Sequence, residues 1–276
     1  MDIQKIRAVL SCAEAVVVGA GAGLSTAAGL SFEGARFEDY FADFRERYGI
    51  KDIYSGGFYP FDTLEEFWAW WSRSILLNRY DAQTNEAYDL LRALLAEKDY
   101  FVLTTNVDHQ FQLHGFDKTR LFYTQGDFGF LQCSRACHAE TYDNEALVRD
   151  MVARQEDMRV PSELIPYCPR CGAPMTTNLR CDASFVEDSG WHRARARYEN
   201  FLARYNEGAV VYLELGVGYN TPAIIKYPFW RRVVQNPYAT YIAMNMKPFA
   251  VPDTVEEQSL FAWGDLYENL RLLVEG

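Results

Sequence analysis

The chain is predicted to adopt an α/β fold, a parallel sheet with helices on both faces. Three observations point there. The first is the stretch 15–29, A-V-V-V-G-A-G-A-G-L-S-T-A-A-G, in which four small or β-branched residues read as a buried strand. The second is the return of such strands at 100–104, 209–215 and 239–244, separated by segments with helical spacing. The third is that polar or glycine-bearing segments follow those strands directly. Open parallel sheets bind their ligands at that end of the strands.

Gly19, Gly21 and Gly23 come straight after the first strand. Without Cβ atoms they permit a tight turn and a close approach of a ligand to the backbone. Ser25 or Thr26 is expected to cap a helix opening at 26–28. Such a strand, turn and helix N-terminus present N–H groups and a positive dipole end to an anion, and a pyrophosphate would suit. The usual G-x-G-x-x-G fingerprint does not fit: counted from Gly19 the third glycine falls on Leu24, and from Gly21 on Thr26. No second strand ends in an acidic ribose ligand about 20 residues on. A purely structural turn is the alternative reading.

The chain has 276 residues, enough for one large α/β domain or a domain with an insertion. Apolar residues make up 49%, which supports a substantial core. Lys and Arg number 27 against 38 Asp and Glu, a net charge of −11, so nucleic acid is not an expected partner. The N-terminus, M-D-I-Q-K-I-R, carries charge where a signal peptide needs an apolar run. No apolar stretch approaches the roughly 18 residues of a membrane span. A cytoplasmic protein without membrane contact is expected.

Four of the six cysteines form two close pairs, Cys133-x3-Cys137 and Cys168-x2-Cys171. That spacing suits a closed, structural zinc site of four thiolates in a reducing compartment. His138 is an alternative ligand, and Gly172 suits the tight turn of a zinc knuckle. A helix is expected at 144–154 between the pairs. Cys12 and Cys181 are expected to be buried.

Residues 32–59 are rich in aromatics and charges and read as a mobile loop, a small helical insertion or a helical packing lobe. Thr63-Leu64-Glu65-Glu66 is a capping-box pattern opening a helix whose Trp68, Trp70 and Trp71 read as core. Thr84 begins another helix, with Tyr88, Leu91, Leu94 and Leu95 on one face. Helices are also expected at 193–205 and 223–234, the latter entered at Pro222, and a last one capped by Asp265. After the strand 100–104 comes Thr104-Thr105-Asn106-Val107-Asp108, where an amide and a carboxylate face the crevice; alone, this is also good turn chemistry. Gly216-Val217-Gly218-Tyr219-Asn220-Thr221-Pro222 and Asn245 follow two later strands and could hold a phosphate or ribose.

Taken in order, G-A-G-L-S-T-A-A-G (21–29), T-T-N-V-D (104–108), the two cysteine pairs, L-R-C-D (179–182), G-V-G-Y-N-T-P (216–222), Met244-Asn245 and Gly264-Asp265 resemble the sirtuin family over nearly the whole chain. The resemblance implies a Rossmann-like NAD-binding domain (1–36, 81–126 and 183–276), a helical insertion (37–80) and a small zinc-ribbon domain (127–182). It implies NAD as a consumed substrate. By the same likeness Gly21, Ala22, Gly23 and Ser25 lie along the NAD phosphates, Asn106 contacts the nicotinamide ribose and Asp108 the nicotinamide amide. Gly216, Gly218, Asn220 and Asn245 would line the adenosine side.

One departure changes the expected activity. Sirtuins that remove acyl groups carry a histidine base a short way before the first cysteine pair. Here the aligned segment is Tyr123-Thr124-Gln125-Gly126-Asp127. Gln125 hydrogen-bonds but does not titrate, so it cannot act as a general base. His109 and His114 stand at other positions and read as packing or surface residues. Ser31-Phe32-Glu33-Gly34 replaces the family's P-D-F-R, with Arg36 as a substitute cation. Breaking the nicotinamide–ribose bond needs mostly positioning and electrostatics, which Asn106, Asp108 and a guanidinium can supply. Glutamine for histidine, with Arg180 in the L-R segment, resembles the macrodomain-linked (class M) sirtuins. That branch implies protein ADP-ribosyl transfer, a lipoylated carrier related to the glycine-cleavage H protein as acceptor, and a macrodomain hydrolase as partner. The alternatives are an NAD-dependent deacylase that tolerates Gln125, an NAD hydrolase and an NAD-sensing module without turnover.

Overall fold

The computed structural model describes residues 3–219 and 222–276. Asn220 lies outside the described residues. The chain opens with α1 (Ile3–Cys12) and enters β1 (Ala15–Ala20), every residue of which is buried. The glycine turn leads into α2 (Ala22–Ala27). A helical lobe follows, made of α3 (Ala35–Tyr48), α4 (Ile53–Gly56) and α5 (Leu64–Ile75), and α5 runs on into a π-helical turn at Leu76–Tyr80. Next come α6 (Ala87–Leu94), β2 (Asp99–Thr104), α7 (Gln110–Leu113) and β3 (Leu121–Tyr123). β4 (Gly126–Cys133), β5 (Tyr142–Asp143), α8 (Glu145–Arg154) and β6 (Met175–Leu179) form a second unit. The chain then returns through α9 (Ser189–Arg204), β7 (Val210–Leu215), α10 (Lys226–Gln235), β8 (Thr240–Asn245), α11 (Asp253–Glu256), β9 (Ser259–Trp263) and α12 (Leu266–Glu275).

The main sheet has the order β3-β2-β1-β7-β8-β9, and all its pairings are parallel. A three-stranded antiparallel sheet, β5-β4-β6, stands beside it. Apolar cores cover both faces of the main sheet. Ile6, Leu91, Leu270 and Leu273 of α1, α6 and α12 pack on one face. Phe201, Phe229 and Val233 of α9 and α10 pack on the other. A third core joins the helical lobe to the second sheet: Phe41, Phe44, Trp68 and Trp70 are buried with Leu131, Val148 and Met151. The 32–59 region is therefore mainly a packing lobe. Burying each such side chain contributes roughly 1.5–3 kcal/mol, so its aromatic density explains its order.

Several boundaries differ from the sequence reading. α2 starts at Ala22 with Gly21 as a cap lacking a side-chain bond, so Ser25 sits inside the helix and does not cap it. α10 starts at Lys226, not Pro222. The intervening turn brings Ile225 onto Gly19, where a Cβ would lie 2.4 Å from the Ile225 side chain. α6 begins three residues after Thr84, with the Asn85 side-chain Oδ1 accepting the Ala87 N–H at 3.0 Å. Thr63 caps α5, but Glu66 turns away from the cap to pair with Arg159 at 2.8 Å. Cys12 and Cys181 are exposed, contrary to expectation. Cys12 ends α1 on the side away from buried Ile6 and Leu10, and Cys181 lies in the turn after β6. Asp265 caps α12 as expected, accepting the Glu268 N–H at 3.0 Å. Among the described residues no helix is long and apolar enough to cross a membrane.

The order of the main sheet reverses direction between β1 and β7, and the turns after these two strands touch backbone to backbone. The Gly21 N–H donates to the Leu215 carbonyl at 3.0 Å and the Gly23 N–H to the Gly216 carbonyl at 2.9 Å. A Cβ on Gly23 would lie 2.6 Å from Gly216 Cα, and one on Gly216 would lie 2.5 Å from Gly23 Cα. Gly216 also has φ +60°, a left-handed conformation that costs other residues energy. Gly218 has open space around it. Gly216→Ala is therefore expected to destabilise by roughly 1–3 kcal/mol from backbone strain alone, with the overlap adding more. Gly218→Ala should leave the denaturant midpoint unchanged. Equal midpoints for the two variants would contradict this packing.

Candidate active site at the carboxyl ends of the strands

The segments that follow β1, β2, β7 and β8 gather at one end of the sheet. β2 ends at Thr104, whose hydroxyl donates to the Ala20 carbonyl at 3.0 Å and accepts the Asn106 N–H at 3.0 Å. This turns Asn106 inward, and its Nδ2 donates to the Gly21 carbonyl at 3.0 Å. Asn106 and Asp108 are both buried. The Ser25 hydroxyl, one turn into α2, donates to Asp108 Oδ2 and lies 3.3 Å from the Tyr88 hydroxyl. The Gln110 N–H donates to Asp108 Oδ1 at 3.2 Å. Burial pushes the Asp108 carboxyl above its usual range, opposed by the Ser25 and Gln110 bonds. Ser25 and Asp108 are thus bonded to each other, and Asn106 is bonded to the glycine turn that leads into α2. On the other flank Asn245 Nδ2 donates to the Val217 carbonyl at 3.1 Å, tying the end of β8 to the Gly216 turn.

Gln125 and Arg180 are brought together from the other side. The Arg180 N–H donates to the Gln125 carbonyl at 3.0 Å, where the start of β4 meets the end of β6. The Arg180 guanidinium lies over Phe185, 4.3 Å from its centroid, and pairs with Glu187 at 2.5 Å. Arg36, read as a substitute cation, is engaged elsewhere. Its guanidinium donates to the Leu77 carbonyl at 3.0 Å and to Asn78 Oδ1 at 2.8 Å.

Further side chains to which the sequence assigned no role at the site lie close to it. Asp127, at the start of β4, is almost wholly buried and accepts from Arg79 Nε at 2.8 Å, the Gly129 N–H at 2.7 Å and His109 Nδ1 at 2.5 Å. Burial alone would raise its pKa, but these partners reverse the effect and hold it below the usual carboxylate range. His109 has φ +64°. Under the Gly216 turn, Lys226 and Glu214 form a fully buried ion pair, and the Tyr241 hydroxyl donates to Glu214 at 2.6 Å. Lys226 Nζ also lies 3.5 Å from the Phe249 ring centroid. Burial pushes the Glu214 carboxyl up and the Lys226 amine down, and each charge opposes the other's shift.

The sulfurs of Cys133, Cys137, Cys168 and Cys171 lie within 4.8 Å of one another. Cys133 and Cys171 are 3.5 Å apart, and Cys137 and Cys168 are 3.7 Å apart. A tetrahedral zinc with Zn–S bonds of about 2.3 Å needs sulfurs about 3.8 Å apart, so the set fits. Gly172, at φ +68°, makes the turn after Cys171. His138 Nδ1 is 3.0 Å from Cys137 Sγ, and its Nε2 is 2.7 Å from the Tyr142 hydroxyl, which places it beside the four sulfurs.

No family model matches the chain. Among solved structures, Sir2Tm bound to a propionylated peptide superposes with a TM-score of 0.64 at 18% identity, covering 100% of this chain and 98% of that one. A Sir2 mutant with a p53 peptide and NAD gives 0.64 at 19%, with the same coverage. The fold is that of Sir2. A protein ADP-ribosyltransferase of Staphylococcus aureus (strain Mu50 / ATCC 700699) is 39% identical over 262 residues, 95% of this chain and 83% of the relative. The chain belongs to this sirtuin-fold protein ADP-ribosyltransferase family. A second family relative, the "Probable bifunctional ADP-ribose hydrolase/ADP-ribosyltransferase" of Fusarium oxysporum f. sp. cubense, is 31% identical over 281 residues. The match covers 96% of this chain but 46% of that longer protein.

Metal removal tests the thiolate cluster. Elemental analysis is expected to return about one zinc per chain, and chelation should lower thermal stability. Cys168→Ala should do the same without disturbing the main sheet. Substantially less than one metal per chain, together with unchanged stability of Cys168→Ala, would contradict a structural zinc.

Proposed function

We propose that this family member breaks the nicotinamide–ribose bond of NAD and passes ADP-ribose to a protein acceptor, as class M sirtuins do. The observation that carries this reading is Gln125, hydrogen-bonded through its backbone to Arg180, at the position where acyl-removing sirtuins need a titrating base. A glutamine amide has no proton to give or take near neutral pH. The relatives named as ADP-ribosyltransferases support the same activity.

In this reading NAD lies across the two glycine turns. Gly21, Ala22, Gly23 and Ser25 run along the phosphates, and Gly216, Gly218, Asn220 and Asn245 line the adenosine side. Asn106 contacts the nicotinamide ribose, and Asp108, fixed by Ser25, accepts from the nicotinamide amide. Cleavage develops positive charge on the ribose and needs little covalent help from the protein. A buried carboxylate and a fixed amide, preorganised by Thr104 and Ser25, stabilise that charge without rearranging. In the same reading Arg180, paired with Glu187, guides the acceptor. We further propose a lipoylated carrier related to the glycine-cleavage H protein as acceptor, a macrodomain hydrolase as the enzyme that reverses the modification, and the cytoplasm as the compartment. A reducing compartment keeps the four thiolates free for zinc.

Intact-mass spectrometry of a lipoylated carrier after incubation with the protein and NAD tests the proposal. An ADP-ribose mass gain is expected, absent from unlipoylated carrier and reduced about 10²-fold or more with Asn106→Ala, whose amide is part of the preorganised site. Nicotinamide release with no protein adduct would favour hydrolysis, and release of free lysine from an acyl peptide would favour deacylation.

A further inference from the structure

His109 sits one residue beyond Asp108, at the end of the sheet where the proposed site lies, and holds a strained left-handed backbone. Such conformations persist where the surroundings over-determine them, and they cluster at functional sites. Its ring is tied down on one side only. Nδ1 meets Asp127 Oδ2 at 2.5 Å, while Nε2 has no protein partner among the described residues and the side chain is 23% exposed. The tautomer follows from the partners of Asp127. Its other oxygen accepts from Arg79 and the Gly129 N–H, so the group is an ionised acceptor with nothing to donate. Nδ1 must therefore carry the proton, which leaves the lone pair of the neutral ring on Nε2. A buried carboxylate orienting an imidazole whose far nitrogen is open is the arrangement that general bases require.

The rest of the molecule supports this placement. The His109–Asp127 and Phe128 N–H to Val107 carbonyl bonds clamp the Asn106–Asp108 segment to the strand that follows Gln125. Arg79 reaches Asp127 from the π-helical turn, an irregularity frequent at functional sites. Resting on the transferase reading, we infer that His109, oriented by Asp127, is the base that takes the proton from a neutral acceptor as it bonds to the ribose. The C1′–N bond breaks and its electron pair leaves with nicotinamide. A lone pair of the acceptor's oxygen or sulfur forms the new bond to C1′. The acceptor's proton passes to His109 Nε2 and from there to solvent.

A pair of small acceptors tests this without the protein acceptor. Methanol must lose a proton when it is captured, whereas azide has none to lose. Methyl- or azido-ADP-ribose and nicotinamide are quantified for wild type, His109→Asn and Asp127→Asn. The asparagine amide can keep a bond to Asp127 but cannot titrate. His109→Asn is expected to slow the methanol reaction about 10²–10⁴-fold and to leave the azide reaction unchanged, which also shows that the variant is folded. Equal losses with both acceptors, or no loss with methanol, would overturn the inference. Wild type releasing no nicotinamide with either acceptor would overturn the transferase reading, and His109 as its base with it.

Discussion

The contact between the Gly21–Gly23 turn and Gly216 is the constraint on which the site depends. Two loops that follow adjacent parallel strands meet without side chains between them, closely enough that a single methyl group would collide with backbone. This fixes the spacing of the two flanks of the crevice where the sheet order reverses. Parallel sheets bind ligands there because neighbouring loops diverge. Here the glycines first serve that loop-to-loop contact, and the crevice forms around it. The Asn106 amide then bonds the Gly21 carbonyl, so the next segment inherits its position from the same turn.

Buried charge follows a consistent logic in this protein. Asp108, Asp127 and Glu214 each lose hydration and each is given partners, but to different degrees. Asp108 receives a hydroxyl and a backbone N–H, and burial wins, so its carboxyl rises. Asp127 receives a guanidinium, an imidazole and a backbone N–H, and the partners win, so its carboxyl falls. Glu214 is paired with Lys226 and Tyr241 beneath the second turn, away from the crevice surface. Pairing of this kind is costly to break, because removing one member leaves an uncompensated charge in the interior. The pair thus pins the base of α10 under the loop that carries Gly216.

Much of this organisation was legible in the sequence, for physical reasons that can be traced residue by residue. The mainly apolar runs of β1, β2, β7 and β8 declare central parallel strands, and the cysteine spacing declares the thiolate cluster. What stayed hidden was long-range. The helix after the glycine turn starts earlier than expected because its cap is backbone contact with Gly216, almost two hundred residues away, and not a local hydroxyl. β3 and β9 sit on the sheet edges, where β3 is only three residues long and β9 is mostly half-buried, so neither declares itself as the longer, more deeply buried central strands do. Arg36 looked free to serve the site, but the π-helical turn claims it. His109 read as a packing or surface residue because the carboxylate that gives it a role lies on another strand. Cys12 and Cys181 were misplaced by the general tendency of free thiols to be buried.

The measurement that bears most directly on this account is a calorimetric titration of NAD into the protein, with nicotinamide quantified in the same sample over time. Saturable binding at one site per chain is predicted, followed by nicotinamide release that accelerates when an acceptor is added. An absence of saturable NAD binding would contradict the assignment of the two glycine turns as its cradle. Tight binding with NAD left intact under every acceptor would contradict the transfer chemistry and leave the crevice a dinucleotide-binding site alone.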